Sequence, residues 1–275
     1  MNISEHTHNF EQEMKRRNYA QNTIDSYSSC VKFFFGKSLK DHPKNINEQD
    51  IKEFLGTFTE VNTQRNYHSA IKKFYDICLG QKNKFKYIPY AQKNNKLPIV
   101  LSISEVQAMF KVCKNLKHKI ILALLYSCGL RVSELINLKW CNIDRSRMII
   151  NIIQAKGNKD RQVMLSPELI PILEEYYREF KSKEYVLNGQ TSLQYSERSV
   201  GEVVKQLADK AGINKRVYTH LMRHCSFTHM VESGTDINLI QRLAGHSSVK
   251  TTSIYLHISH NHISKIQSPL SNITL

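Results

Sequence analysis

Between Ile77 and Ser104 the chain carries no acidic residue, five lysines and two prolines, and this break divides everything else. Pro89 and Pro98 prevent one continuous helix from running through it, because each fixes φ and removes a backbone donor. The apolar residues on either side must therefore build separate cores. Ahead of the break, Ile24, Tyr27, Val31, Phe34 and Phe35 recur at helical spacing after Asn22-Thr23. Asn47 can cap a helix carrying Ile51, Phe54, Leu55 and Phe58. Asn62 can cap another carrying Tyr67, Ala70, Ile71, Phe74, Tyr75 and Cys78. We expect an all-α domain of about four helices over residues 1–85, a basic linker over 86–101, and a second domain with a C-terminal tail over 102–275.

The second stretch reads as mainly α with a small antiparallel sheet. Ser104 opens a helix with Val106, Met109, Phe110 and Cys113, and a strongly apolar helix over 117–128 ends at Gly129. A short helix follows over 131–138. The β-branched run 148–153, a turn over 156–160 and a return over 161–165 suggest a hairpin. Further helices are expected over 166–180, 196–211, 219–233, 236–243 and 249–256.

Composition narrows the function classes. Lys plus Arg is 39 against 24 for Asp plus Glu, a net charge of +15, and nucleic acid is the leading partner for such a balance. The longest strongly apolar stretch, 120–126, is too short to span a bilayer, and residues 1–6 have no signal-peptide pattern. We therefore expect a cytoplasmic protein with no membrane partner. The six cysteines form no CxxC pair and read as reduced, mostly buried thiols.

Four segments can carry chemistry. They are Gly129-Leu130-Arg131-Val132-Ser133-Glu134, the turn around Lys156, His220-Leu221-Met222-Arg223-His224, and Gly245-His246 followed nine residues after the histidine by Tyr255. Arg131 and Arg223 could grip an anion through paired hydrogen bonds. His220 lies three residues before Arg223 and so on the same helical face. His220 and His224 at i, i+4 could also hold zinc, but the Glu of an H-E-x-x-H metal site is missing.

These segments, in this order, resemble the tyrosine recombinase family, also called phage integrases. The resemblance covers residues 102–259 closely, and the N-terminal helices look like the family's SAM-like core-binding domain. It implies a site-specific DNA recombinase working through a 3′-phosphotyrosyl intermediate and a Holliday junction, for a mobile element or for chromosome dimer resolution. Tyr255 would be the nucleophile, Arg131 and Arg223 the phosphate clamp, and His220 and His246 donors or proton carriers. Lys156 would be the general acid, with Lys159 as its rival, and Glu134 would orient its neighbours. Lys82, Lys84, Lys86, Lys93, Lys96, Lys159 and Arg161 would contact DNA. The implied partners are duplex DNA with an inverted-repeat site and three further copies of the chain on two such sites, with a monomer left open in the absence of DNA. No cofactor, ATP or metal is implied. The short stretch ahead of the helical domain leads us to expect no additional arm-binding domain. Two alternatives stay open: a catalytically silent DNA-binding protein of the same fold, and a type IB topoisomerase-like nicking and closing enzyme. The third segment departs from the family's common H-x-L-R-H-T form, since Met222 replaces Leu and Cys225 replaces Thr.

Overall fold

The computed structural model describes residues 2–92, 99–155, 159–189, 193–246 and 248–258, with the backbone alone at 154, 155, 159, 257 and 258. The chain divides into two compact units, Met1–Asn95 and Lys96–Leu275. The fold is mainly α with a small antiparallel sheet, as the periodicity indicated.

The first unit is built from α1 (Ile3–Arg16), α2 (Gln21–Lys37), α3 (Glu48–Gly56) and α4 (Val61–Cys78). Phe10, Met14, Val31, Phe35, Ile51, Ile71 and Phe74 meet in its core. Asn47 caps α3 as expected: its Oδ1 accepts from the Asp50 N–H at 2.9 Å, while the Asp50 carboxylate accepts from the Asn47 N–H at 2.8 Å. α4 starts one residue before Asn62, with Glu60 at its N-cap, so Asn62 lies inside the first turn. Helix α1 has few apolar residues beyond Phe10 and Met14, and Asn2 caps it by accepting from the Glu5 N–H at 3.2 Å.

The expected linker from residue 86 is folded in its first half. Ile88 is buried, its carbonyl accepts from His68 Nε2 at 2.8 Å, and the Ala91 carbonyl accepts from Arg65 Nη1 at 2.7 Å. Phe85 and Ile88, three residues apart, anchor the segment to α4. Lys84 is half-buried, with Nζ 4.5 Å from the Tyr75 ring centroid, so it packs inward rather than reaching out to DNA. Lys82 and Lys86 are exposed, and Lys93 and Lys96 lie outside the described residues.

In the second unit α5 (Ile103–Val112) is followed by α6 (Leu116–Ser127) and α7 (Val132–Ile136). Every residue of α6 from Ile120 to Leu125 is buried. A helix apolar on all faces must be surrounded. It is enclosed by α7, α8 (Leu169–Phe180), α9 (Glu197–Lys210) and α10 (Thr219–Glu232). Strands β1 (Ile143–Asp144), β2 (Ile149–Ala155) and β3 (Lys159–Met164) form an antiparallel sheet in that order. Ile150 pairs with Val163 and Ile152 with Arg161. The pleat therefore puts Arg161 on the same face as buried Val163. After α11 (Ile237–Ala244), the expected helix over 249–256 is two short ones, α12 (Val249–Thr252) and α13 (Ile254–Ile258), separated at Ser253.

Helix α10 also fixes the start of this unit. The Leu101 N–H donates to Cys225 Sγ at 3.2 Å, and the Leu101 carbonyl lies 3.0 Å from His229 Nε2. Nε2 must donate to that carbonyl, which leaves Nδ1 to accept from the Tyr126 hydroxyl at 2.8 Å. The Cys225 substitution thus keeps an acceptor for an otherwise buried donor. Among the described residues no helix is long and apolar enough to cross a membrane.

Gly129 ends α6 with φ +59°, and a Cβ there would lie 2.6 Å from Phe227 Cζ. Left-handed backbone and overpacking together should make Gly129→Ala destabilising by about 3 kcal/mol, read as a lowered urea midpoint with an unchanged m-value.

Candidate active site

The site gathers where α11 ends. Gly245, at φ +62°, turns the chain out of the helix, and its N–H closes back on the carbonyls of Arg242 and Gln241. The next carbonyls accept from arginine side chains instead. Leu243 accepts from Arg161 Nε at 2.8 Å. Ala244 accepts from Arg131 Nη2 at 3.2 Å and from Arg223 Nη2. The last carbonyls of a helix lack intrahelical partners and carry partial negative charge, so cations are stabilised there.

One carboxylate completes the cluster. Glu134 Oε1 accepts from Arg131 Nη1 at 2.8 Å and from Arg161 Nη1, while Oε2 accepts from the Arg131 N–H at 2.8 Å and from Arg161 Nη2 at 2.7 Å. Burial alone would raise the Glu134 carboxyl. The hydrogen bonds from Arg161 and from the Arg131 backbone outweigh it and hold it at about 2. Three guanidiniums against one carboxylate leave a surplus of two positive charges in a largely enclosed space. Such a surplus calls for an anion.

Arg223 projects from α10 with 1% of its surface exposed, donates to the Gly129 carbonyl, and lies over the Phe227 ring with 4.8 Å to the centroid. Burial, with Arg131 and Arg161 nearby, lowers it to about 10, so it remains a cation at neutral pH. Tyr255 sits on α13, 1% exposed, packed on Phe227 at 5.5 Å between ring centroids. Burial raises its phenol, and Arg223 and Arg131 pull it part of the way back.

His246 follows the glycine turn. Its ring lies near-parallel to that of Tyr255 at 6.3 Å, and Nδ1 is 3.0 Å from Thr252 Oγ1. Burial, then Arg223, Arg131 and Arg161, lowers it to about 4. His224 is likewise lowered to about 4 by burial and by His220 and Arg223, and its ring lies 5.8 Å from Tyr255. His220 is exposed on the same helix, its ring 4.7 Å from that of His224. Both lowered imidazoles are therefore neutral at pH 7, and they can exchange hydrogen bonds and protons rather than add charge.

Arg131, Glu134, Arg223, His246 and Tyr255 thus converge, with His220 one helical turn away. Lys156 lies outside the described residues, as does the side chain of Lys159. The DNA-contact expectation for Arg161 is corrected. Its side chain is 6% exposed, because the pleat turns it inward onto Glu134 and α11. Phe227 as the platform and His224 beside the phenol lie in the third segment or just past it but were given no such role from it, and the carbonyls of Leu243 and Ala244 had no motif behind them.

The two lowered histidines make stability depend on pH. In the unfolded chain each titrates near ~6.5, so between that value and about 4 the unfolded state binds more protons. Their contribution is complete above ~6.5 and is lost as pH falls towards 4. Thermal melting points measured from pH 7.5 to 4.5 should fall, and replacing His224 and His246 with Asn should flatten that slope.

The Phage integrase family pattern matches residues 100–262, and the pattern for a phage integrase N-terminal SAM-like domain matches residues 7–84. A tyrosine recombinase from Thermosipho africanus (strain TCF52B) is 31% identical over 263 residues, covering 88% of this chain and 91% of the relative. The crystal structure of XerH site-specific recombinase bound to palindromic difH substrate, a post-cleavage complex, superposes with a TM-score of 0.75 at 23% identity, covering 92% of this chain and 81% of that one. A lambda integrase tetramer bound to a Holliday junction gives a TM-score of 0.79 at 16% identity over 96% of this chain and 80% of that one. At these identities the two structural likenesses speak for the fold. The family pattern covers more than half of the chain and takes in every member of the arginine, histidine and tyrosine cluster, so the chain belongs to the phage integrase family.

Proposed function

We propose that the protein is a site-specific DNA recombinase that cuts and rejoins duplex DNA through a covalent link to Tyr255. The observation that carries this reading is a buried phenol set against a pocket with a two-charge positive surplus. A phosphodiester is an anion, and its pentacoordinate transition state holds more charge on the non-bridging oxygens. Arg131 and Arg223 would meet those oxygens with charge-assisted donors already in place. The Tyr255 oxygen attacks phosphorus, the bond to the 5′-oxygen breaks, and a 3′-phosphotyrosyl link stores the bond energy. A 5′-hydroxyl from another strand reverses the attack and completes strand exchange without ATP.

Protons have to move in both directions. Burial raises the Tyr255 phenol, so its proton must leave during the attack. The neutral imidazole of His224 or His246 can receive it, with His220 as the alternative carrier on the same helix as His224. The departing 5′-oxygen needs a proton in return, and Lys156 is the proposed donor, with Lys159 as its rival. Lys82 and Lys86 would lie along DNA phosphates. The resemblance to recombinases solved on palindromic and junction DNA supports inverted-repeat sites and assembly of four copies. Integration, excision and chromosome dimer resolution share this chemistry.

A nicked duplex carrying a bound site mapped in the source genome tests the reading. The wild type should form a covalent protein–DNA adduct, Tyr255→Phe should form none, and Arg223→Ala should form it at least about a hundredfold more slowly. Binding by the folded wild type with no adduct would instead favour a silent DNA-binding protein. Nicking and closing without joining of two duplexes would favour the topoisomerase-like alternative. Duplex affinity should also fall at least about tenfold between roughly 50 and 200 mM salt.

A further inference from the structure

Arg161 is spent inside the protein. Its two terminal nitrogens reach both oxygens of Glu134, at 2.5 and 2.7 Å, and its Nε donates to the Leu243 carbonyl at 2.8 Å. A carboxylate offers about four lone-pair sites. On Glu134 all four are used, two by Arg161 and two by the side chain and the N–H of Arg131. If Arg161 were missing, Arg131 and Glu134 would form a closed neutral pair, and the fork of Arg131 could turn onto both carboxylate oxygens. With Arg161 in place the trio carries one net positive charge; one terminal nitrogen of Arg131 is committed to Glu134, and the other makes only a longer 3.2 Å bond to the Ala244 carbonyl.

A second observation concerns fit. A Cβ on Gly245 would come within 2.9 Å of Arg161 Cδ, in a backbone conformation at φ +62°. The stem of Arg161 therefore packs directly against the turn that delivers His246, three residues after the carbonyl that Arg161 holds. One side chain from β3 contacts the carboxylate beside the first arginine and the turn before the histidine.

We propose that Arg161 is a positioning residue that occupies Glu134 so that Arg131 stays available to an anion, while its bond to Leu243 ties β3 to the turn carrying His246. This rests on the recombinase reading for the anion's identity as a phosphodiester, but not for the existence of the anion site.

The test uses the full chain and inorganic sulfate as the probe, with binding followed by calorimetry. Arg161→Gln should weaken sulfate binding at least tenfold, and Arg161→Lys should recover part of the loss by returning the charge without the fork. The double variant Arg161→Gln/Glu134→Gln removes the orphaned carboxylate and should bind sulfate within about threefold of wild type. It also covers the case in which Arg161→Gln alone does not fold. A wild type without sulfate affinity, or an Arg161→Gln protein that binds sulfate normally, would overturn the inference. So would a double variant as weak as the single one. A wild type that binds sulfate in this Arg161-dependent way but forms no adduct on nicked DNA would sink the recombinase reading and leave the inference standing.

Discussion

Three guanidiniums do not share a small volume unless something holds them there. Here one carboxylate and the last carbonyls of α11 do so. Glu134 takes four hydrogen bonds, and the carbonyls of Leu243 and Ala244 take three more. The arrangement depends on the helix stopping at that point, since carbonyls inside a helix are already bonded. Gly245 provides the stop, and its missing Cβ leaves room for Arg161. The glycine in the Gly-His segment therefore serves both the backbone turn and the arginine packed against it.

The surplus charge also shapes the residues that are not arginines. Two imidazoles beside Arg223 are kept neutral, and a phenol beside the same group keeps its proton because burial outweighs attraction. Each group waits in the protonation state that costs least in a positive, enclosed site. An anion bound there would shift that balance by neutralising the arginines.

Much of this was legible in the sequence, and the gaps have physical causes. The motif residues 131, 134, 223, 246 and 255 converge because their order in the chain reflects one shared packing. Helix α4, with its periodic apolar stripe, and α6, with its unbroken apolar run, were clear. Helix α1 was obscure because only two of its buried residues, Phe10 and Met14, are apolar, and they give too sparse a stripe. The two residues of β1 are too few for any alternation to register. The break at Ser253 carries no glycine or proline to announce it. Arg161 was misread because a positive charge in a basic hairpin suggests solvent. The signal against it was present: Arg161, Val163 and Leu165 alternate on one face, and the last two are plainly apolar. The roles of the Leu243 and Ala244 carbonyls were out of reach, since every residue type has a carbonyl.

The thiol of Cys225 has one more consequence. It is buried on α10 next to Leu101, and burial holds it up at about 11. Oxidants attack the thiolate, which is scarce at such a value and out of contact with solvent. Sulfur in place of a hydroxyl on the arginine helix therefore offers peroxide or disulfide exchange little thiolate and no exposed surface to attack.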